Sequence, residues 1–395
     1  MKKILYLTFY FEPDLCAGSF RNTTLAKTLS EQLGNDGEID IVTAFPHRYK
    51  TYKIDALRFE KIGNIRIHRI DIPEHKSGFL DQIFSFTTYF KKAKKITRNN
   101  DYDLIFASSS RLFTAYLGYN IARKLKKPLY LDIRDIFVDT MDDVLKNPII
   151  KLCIIPLIKR IEKKVFNYAK HINLISGGFF PYFEQFKCKS FSNFTNGIDN
   201  EFLSAVENKN IDSTQNIVQQ KTIVYAGNIG EGQGLDKIIP PVAKKIGDKF
   251  KFLVIGDGGT KHKLSHEIMK EGLQEYIELR DPVGRSELIN IYHQADFLFI
   301  HLNNYKAFKK VLPSKIFELG TFHKPIIAGV SGFSYQFIKE NISNVILFES
   351  CDIENFVKGL QNYSYRTEAR LTFIENYKRD NINKKMAESI LSFVR

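Results

Sequence analysis

Short runs of apolar residues alternate with longer amphipathic stretches along the whole chain. In the first half the apolar runs are KILYLTFY, IDIVTAF, IRIHRI, DLIFASS, PLYLDI and HINLIS. Stretches with helical periodicity lie among them, notably residues 79–97, 112–125 and 149–168. Strands of about 4–8 residues separated by helices of about 10–20 are typical of βα units with a parallel sheet. The pattern therefore predicts an α/β fold.

The same pattern begins again near residue 200. After FTNGIDNEF and a polar stretch at 207–220, further helices alternate with TIVYAGN, FKFLVIGDGG, YIELRDPV, DFLFIHL, KPIIAGV and NVILFES. We predict two Rossmann-like domains, 1–200 and 201–375, and a C-terminal helix within 376–395 that could cross back to the first domain. Ligands of open parallel sheets bind beyond the carboxyl ends of the strands, so two facing sheets would form a cleft.

Length and composition agree with two folded domains. The chain has 395 residues, of which 44% are hydrophobic and 26% charged. At about 100–200 residues per domain this allows two full cores and excludes disordered, collagen-like and coiled-coil classes. The net charge is +14, and residues 1–200 carry 32 basic against 21 acidic side chains. An anionic partner is expected at the N-terminal half, namely a membrane surface, a nucleic acid or a phosphorylated substrate.

Metal, disulfide and membrane-spanning signals are weak. The four cysteines are far apart and form no CxxC pair, which favours a reducing compartment. The longest apolar run, Leu152 to Ile158, is far shorter than the roughly 20 residues of a membrane-spanning helix. DYD at 101–103 has the form of a metal-binding DxD but precedes a strand, away from the predicted cleft. We predict no metal and no cofactor.

Glycine-rich turns follow two strands of the second half. TIVYAGN leads into GNIGEGQG, which contains Gly227 and Gly230, and FLVIGDGG contains Gly256. Glycines at a strand-to-helix turn let the backbone approach a phosphate, and the following helix N-terminus favours an anion. A plain tight turn is the alternative for the first segment. Close packing is the alternative to a contact with a nucleotide base for the second.

The segment VLPSKIFELG, at 311–320, is the most informative one. Pro313 suits a first helical turn, and Ser314, Lys315 and Glu318 follow. A hydroxyl and an ammonium at a helix start suit a diphosphate, and a carboxylate one turn later suits the vicinal hydroxyls of a ribose. The alternative is a capped surface helix with an ordinary Lys–Glu pair.

Two segments of the first half could face the same ligand. Residues 10–21, YFEPDLCAGSFR, follow the first strand, and small residues around Gly18 would let a sugar or phosphate approach the backbone. The alternative is a turn before a helix at 23–33, with Arg21 as a surface charge. In PLYLDIRDIFVD a strand ends in Asp132, Arg134 and Asp135, where charged groups belong at a ligand crevice. The alternative is a local ion pair of Arg134 that fixes the loop.

Two basic amphipathic stretches account for the charge of the first half. Residues 79–98 and 149–170 combine apolar faces with clusters of lysine and arginine. Such helices can lie in an anionic membrane interface. The alternative is a pair of core-packing helices with solvated basic faces.

The sequence resembles the retaining two-domain GT-B glycosyltransferases of family 4 over nearly its whole length. The resemblance rests on YFEPDLCAGSFR, SGGF, NGID, YAGNIGEGQGL, VIGDGG, PVGRSELINIYHQAD and LPSKIFELGTFHKPIIAGV. The GNIGEGQG and LPSKIFE segments look most like the branch of N-acetyl-L-fucosaminyltransferases and related amino-sugar transferases of O-antigen and capsule assembly.

The resemblance implies a nucleotide diphosphate sugar donor, UDP-linked by preference, bound mainly by the C-terminal domain. Glu318 matches the family's ribose-binding glutamate. Lys310 stands where the family has a glutamate near the donor sugar, and Asn228 and Gln233 stand where an arginine and a lysine commonly bind the diphosphate. We therefore assign the diphosphate charge to Lys315 and the helix N-terminus, with Lys310 as a second cation.

The remaining site residues follow from the same comparison. Arg134 replaces a histidine that approaches the donor sugar in many members, and Asp135 is the candidate base for the acceptor hydroxyl. The predicted catalytic residues are thus Asp135, Arg134 and Lys315. The predicted donor-binding residues are Gly18, Gly227, Asn228, Gly230, Gln233, Gly256, Pro282, Lys310, Ser314, Lys315 and Glu318.

The sequence as a whole predicts a cytoplasmic glycosyltransferase at the inner face of a bacterial cell membrane. It would move a sugar with retention onto a lipid-linked saccharide, and residues 79–98 and 149–170 would contact the anionic membrane. One alternative is a GT-B-like nucleotide-sugar 2-epimerase. The other is a basic nucleic-acid-binding protein, against which the chain shows no helix-turn-helix, zinc or RRM signature, so no nucleic-acid partner is predicted.

Overall fold

The computed structural model describes residues 1–14, 16–46, 55–73, 79–109, 112–145, 147–188, 190–207 and 220–394, with side chains of the second helix from Phe84 onward. Most of the polar stretch predicted at 207–220 lies outside the described residues. The chain divides into two compact units, one comprising Met1–Asn196 with Asp380–Arg395 and the other Gly197–Arg379.

The first unit is a parallel α/β unit with one antiparallel edge strand. Its described strands form a single sheet in the order β3-β4-β2-β1-β5-β6-β7-β8, in which only β3 runs antiparallel to its neighbour. The strands are β1 (Lys2–Thr8), β2 (Gly37–Ala44), β3 (Phe59–Ile62), β4 (Ile65–Ile70), β5 (Leu104–Ser109), β6 (Leu129–Ile133), β7 (His171–Leu174) and β8 (Phe191–Ser192). The helices before the second unit are α1 (Ala17–Leu33), α2 (Phe79–Thr97), α3 (Leu112–Leu125), α4 (Phe137–Val144), α5 (Pro148–Tyr168) and α6 (Phe180–Phe183).

The second unit begins with α7 (Asn200–Glu207) and has an all-parallel sheet. Its described strands are ordered β11-β10-β9-β12-β13-β14. They are β9 (Lys221–Asn228), β10 (Phe250–Asp257), β11 (Ile277–Arg280), β12 (Phe297–His301), β13 (Ile326–Gly329) and β14 (Val345–Phe348). The helices are α8 (Leu235–Ile246), α9 (Lys261–Lys270), α10 (Arg285–Gln294), α11 (Lys315–Thr321), α12 (Phe333–Asn341), α13 (Ile353–Gln361) and α14 (Leu371–Asn376), and α15 (Arg379–Leu391) then returns to the first unit.

The central strands are continuous apolar runs because helices cover both faces of each sheet. From Ile4 to Leu7 every residue of β1 is fully buried. In the second unit two separate clusters of buried side chains pack on opposite faces, one around Val224 and Phe317 and the other around Ile223 and Phe252. The predicted α/β fold with two Rossmann-like sheets is confirmed.

The structure corrects the prediction for residues 10–21. The first helix begins at Ala17 rather than near residue 23, so Gly18 and Arg21 lie in its first turns. Cys16 is the N-cap, and its sulfur accepts a hydrogen bond from the backbone N–H of Ser19 at 3.4 Å. Cysteine is not among the residues that signal a helix start, which explains the late prediction.

Candidate active site

The carboxyl ends of β9 and β10 meet at two glycines of the second unit. Gly227 and Gly256 are direct partners in the parallel pair. A Cβ atom on Gly256 would lie 1.8 Å from the carbonyl oxygen of Gly227, so only glycine fits there. Close packing of two strands therefore explains Gly256 without a ligand. A Cβ on Gly227 would lie 3.9 Å from Cε of Lys315, which brings α11 beside this turn.

Two amides replace the expected cations after β9. The Asn228 side-chain Nδ2 donates to Oε1 of Gln233 at 2.8 Å, across Gly230. A Cβ on Gly230 would lie 2.4 Å from Asn228 Nδ2, so this glycine makes room for the amide pair. The structure thus brings Gly227, Asn228, Gly230 and Gln233 into one turn, which contains no positive charge.

Lys315 is a cation next to this turn. Its Nζ lies 2.6 Å from Oε2 of Glu318 and 3.4 Å from the hydroxyl oxygen of Tyr292. The Lys315 and Glu318 side chains are only 23% and 18% exposed, and Tyr292 is buried. The pair is therefore held inside the unit rather than on a solvated helix surface.

The electrostatics of this pair favour full ionisation of the lysine. Burial alone would lower the pKa of the Lys315 ammonium, but the Glu318 carboxylate outweighs it and raises that pKa above its usual value. Burial raises the pKa of Tyr292 to about 12, so its phenol stays protonated. The site therefore presents a permanent cation, a carboxylate and a neutral hydroxyl.

Three other residues predicted to bind the sugar donor lie in different segments of the second unit. Ser314 immediately precedes α11, which is only seven residues long. Lys310 ends a one-turn 3-10 helix, Ala307–Lys310, and is half-buried. Pro282 lies in the loop after β11, two strands away from β9 in the sheet order.

Sequence reasoning did not identify a cluster of charges around Asp199 of the NGID motif. Oδ2 of Asp199 lies 2.6 Å from Nη2 of Arg285, and its other oxygen pairs with Arg379. Burial alone would lower the pKa of Arg285, but the carboxylates of Asp199, Glu201 and Glu318 outweigh it and raise that pKa. Arg285 therefore interacts electrostatically both with Asp199 of the NGID motif and with Glu318 of the candidate site.

His301, at the end of β12, fixes the backbone of the glycine-rich turn. Its Nδ1 donates to the carbonyl oxygen of Gln233 at 2.6 Å, and its Nε2 accepts from the backbone N–H of Cys351 at 2.9 Å. Burial lowers the pKa of His301 to about 4, so the ring is neutral at physiological pH. A buried histidine in an apolar strand gave no sequence signal for this role.

In the first unit the structure brings Gly18 and Arg134 together. A Cβ on Gly18 would lie 2.6 Å from Nη1 of Arg134, so the guanidinium lies directly over the first turn of α1. Asp135, one residue later, accepts a hydrogen bond from Oγ1 of Thr140 at 2.9 Å. Burial raises the pKa of Asp135 to about 6, despite that hydrogen bond. A carboxylate with this pKa can accept a proton near neutral pH.

Arg21 is a buried structural residue and not the surface charge considered above. Its side chain is fully buried and forms a two-point ion pair with Asp132, at 3.1 and 3.3 Å. It also donates to the carbonyl oxygens of Phe194 and Thr195, at 2.8 and 2.7 Å. Burial would raise the pKa of Asp132, but Arg21 outweighs it and holds that pKa below its usual value.

The two basic helices differ in what they expose. In α2, Phe86 and Tyr89 are buried, and Tyr89 donates to the carbonyl oxygens of Thr8 and Val42, so this helix packs into the unit's interior. In α5, Leu152 and Leu157 remain largely exposed. Within the described residues, no helix is long and apolar enough to span a bilayer. In the same residues no group of three metal-ligating side chains occurs.

Comparison with known proteins bears on the class of the second unit. Residues 206–380 match the family model of the glycosyl transferases group 1. The matched range includes Gly227, Lys315 and Glu318. This match confirms the predicted enzyme class, a glycosyltransferase. A comparison with curated protein sequences finds no match.

Solved structures resemble the chain over its whole length at low sequence identity. The Anabaena protein HepE, solved with UDP and glucose, gives a TM-score of 0.68 at 13% identity and covers 99% of this chain and 100% of its own. Sucrose-phosphate synthase of Thermosynechococcus elongatus gives 0.65 at 11%, covering 100% and 95%. The lipopolysaccharide outer core galactosyltransferase WaaB gives 0.61 at 13%, covering 99% of each chain. These similarities confirm the predicted GT-B fold.

Proposed function

We propose that the protein transfers a sugar from a nucleotide diphosphate donor, UDP-linked by preference, to a lipid-linked saccharide. We assign it to the retaining glycosyltransferases of family 4 and to the branch that transfers N-acetylated deoxyamino sugars in O-antigen or capsule synthesis. The enzyme would act in the cytoplasm, at the inner face of a bacterial cell membrane. The second unit would bind the donor and the first unit the acceptor.

One observation carries this proposal: a largely buried Lys315, ionised by Glu318, lies beside Gly227 at the carboxyl edge of a Rossmann-like sheet. Ligands of such sheets bind at that edge. Glu318 and Tyr292 take two of the three N–H donors of the ammonium, which leaves one for a phosphate oxygen. The complex of HepE with UDP-glucose, a protein of the same fold, supports a UDP donor.

Catalysis would rest on position and charge rather than on a protein nucleophile. Lys315 would stabilise the negative charge of the departing diphosphate, and Glu318 would bind the ribose hydroxyls. Asp135, whose pKa is raised to about 6, would orient or deprotonate the acceptor hydroxyl, with Arg134 beside it. The acceptor would attack on the face that the diphosphate leaves, which retains the anomeric configuration.

A thermal-shift and turnover experiment tests the donor site. We expect UDP to raise the unfolding temperature of the wild type, since a ligand at 100 times its Kd stabilises a protein by about 2.7 kcal/mol. Lys315→Ala should lose this shift and about 100-fold or more of the turnover. Lys309→Ala, an exposed lysine nearby, is the control. An equal UDP shift and equal turnover in Lys315→Ala would reject the site.

A second pair of ligands tests the role of Glu318. Glu318→Gln should weaken binding of UDP more than binding of 2′-deoxy-UDP, because the deoxy nucleotide lacks one hydroxyl of the vicinal pair that Glu318 would bind. Equal losses for both nucleotides would contradict ribose recognition. Incubation with donor alone, followed by NMR, separates transfer from epimerisation, since an epimerase releases an altered sugar without an acceptor.

A further inference from the structure

A cavity of about 540 Å³ lies between α3 and α5 of the first unit. Its lining includes none of the candidate active-site residues. Asn167 contributes to its wall, and the other lining residues are two tyrosines and four cations: Tyr119, Arg123, Arg160, Lys163, Lys164 and Tyr168. No lining residue is acidic.

None of the four cations forms an ion pair with another side chain in the described part of the chain. The one ion pair of α3 or α5 there joins Lys151 to Asp142 of α4 at 3.3 Å and lies outside the cavity. Arg160 stands three and four residues before Lys163 and Lys164, a spacing at which like charges repel on a helix. An anion bound between the helices would relieve this repulsion.

Tyr119 orients Arg123, the cation of α3 that lines the cavity. The Tyr119 and Tyr168 rings meet edge to face, with centroids 5.3 Å apart, and join the two helices at the cavity. Nη1 of Arg123 donates to the Tyr119 hydroxyl at 3.3 Å. A planar guanidinium held beside lysines is a common arrangement for binding phosphate.

The exposed apolar side chains of α5 point to a lipid as the source of that phosphate. Leu157 is 56% exposed and precedes Arg160 and Lys164 by one and two helical turns on the same face. Leu152 is 78% exposed and precedes Lys163 by three turns. Leu157 and Lys164 are about 10 Å apart along the helix axis on one face, so a helix lying in the plane of the interface would present both side chains to the membrane.

We propose that this cavity binds the phosphate of an anionic phospholipid headgroup while Leu152 and Leu157 enter the acyl region. The proposal deepens the proposed function, on which it rests for the reason to be at a membrane. It extends the predicted membrane contact of 149–170 to a defined site that includes Arg123 of α3. Binding to the lipid requires neither the sugar donor nor the acceptor.

Vesicle co-sedimentation of the full chain tests the site. We expect binding to vesicles of phosphatidylcholine mixed with phosphatidylglycerol, and little to phosphatidylcholine alone. Arg123→Gln should weaken binding about fivefold or more, because each cation near an anionic surface contributes about that factor. Lys124→Gln is the matched control, since Lys124 is exposed on the same helix but does not line the cavity. Equal losses in both variants would reject a defined site.

Two triple variants distinguish binding at the cavity from an effect of the overall charge of the protein. Arg160→Gln/Lys163→Gln/Lys164→Gln should reduce binding about 100-fold. Lys249→Gln/Lys339→Gln/Lys358→Gln removes the same charge from exposed positions of the second unit and should change binding less than about twofold. Similar losses in the two triple variants would overturn the proposal.

A substitution of the exposed Leu157 distinguishes binding of a lipid from binding of a free anion. Leu157→Ser should weaken vesicle binding about tenfold, as expected for one leucine that is no longer buried, and should leave any thermal shift by inorganic phosphate unchanged. Unchanged vesicle binding in Leu157→Ser would contradict the proposal. A thermal shift by inorganic phosphate without vesicle binding would also contradict it, and so would Arg123-dependent binding of DNA without vesicle binding.

Turnover with a water-soluble acceptor analogue keeps the two proposals separate. Arg123→Gln should retain wild-type turnover on such an acceptor. If the vesicle experiments fail while UDP-dependent transfer persists, the cavity proposal is wrong and the enzyme assignment stands. If transfer is absent while vesicle binding depends on Arg123, the cavity proposal stands and the enzyme assignment is wrong.

Discussion

Asp135 is the predicted catalytic residue that changes its charge near neutral pH. Burial raises its pKa to about 6, and a base acts in its deprotonated form, so kcat/KM should fall as the pH drops through about 6. Asp135→Asn should lower turnover and remove this inflection. The pH profile of kcat/KM for the two proteins is the measurement.

The pH dependence of stability tests the raised pKa of Asp135 independently of activity. Because the folded-state pKa lies above that of the unfolded chain, the folded protein binds more protons between about pH 4 and 6, and the unfolding free energy falls as the pH rises through this range. Asp135→Asn should reduce that decrease, leaving the part that comes from Glu162, whose pKa burial raises to about 7. Asp142→Asn, an exposed control on α4, should leave the decrease unchanged. An unchanged profile in Asp135→Asn would show that its pKa is not raised.

The buried pair of Arg21 and Asp132 has a structural role that can be measured. Removing either partner leaves an uncompensated buried charge, so Arg21→Ala or Asp132→Ala should lower the unfolding free energy by about 3–5 kcal/mol. The double variant Arg21→Ala/Asp132→Ala should cost less than the sum of the two single changes. Urea unfolding followed by circular dichroism measures all of them, and strictly additive losses would contradict the pairing.

The sequence could reveal residue pairs that are close in the chain but not those that are far apart. Lys315 and Glu318 are three residues apart, so helical periodicity alone predicted their proximity. Asp132 is 111 residues from Arg21, and Asp199 is 86 residues from Arg285. Such partners meet only through the sheet topology, which is why a surface position was considered for Arg21 and why Arg285 was missed.

At the scale of elements, amphipathic periodicity predicted helix bounds closely. The predicted stretches 79–97 and 112–125 coincide with α2 and α3, and the stretch 149–168 begins one residue after the start of α5. Periodicity is informative there because one face of each helix packs on a sheet. It failed at the start of α1, where polar and small residues such as Asn22 and Gly18 are buried by specific contacts. The short antiparallel β3, largely exposed, gave no apolar signal.

The paired ends of β9 and β10 give a prediction at this scale. Gly256→Ala places a Cβ 1.8 Å from the carbonyl oxygen of Gly227, which must separate the two strands and should cost about 1–3 kcal/mol or more of stability. Gly259→Ala, in the same turn, meets no atom within 4 Å and should change stability by less than about 0.5 kcal/mol. Equal unfolding midpoints in urea for the two variants would refute this packing account.

At the scale of the whole molecule, part of the excess positive charge of residues 1–200 lies on the two helices α2 and α5. The cavity-lining cations of α5 follow the exposed Leu152 and Leu157 along the helix, whereas α2 buries Phe86 and Tyr89 but exposes Phe84. Charge counting could not separate these two helices, because burial depends on their neighbours. Amphipathic periodicity alone therefore did not predict which apolar side chains of each helix are buried.

The end of the chain completes the core of the first unit. In α15, Met386, Ala387 and Ile390 are fully buried against Ile4 and Tyr6 of β1. Ile390→Ala should therefore destabilise the first unit by about 2–5 kcal/mol, although it lies 386 positions after Ile4 in the sequence.

Urea unfolding of the full chain can assign this loss to one unit. The exposed Glu388→Ala on the same helix is the control and should stay within about 0.5 kcal/mol of the wild type. Because UDP is proposed to bind the second unit, its stabilising effect should persist in Ile390→Ala while the transition of the first unit moves to lower urea. Loss of both together would mean that the two units unfold as one cooperative body, and an unchanged transition would refute the role of α15 in this core.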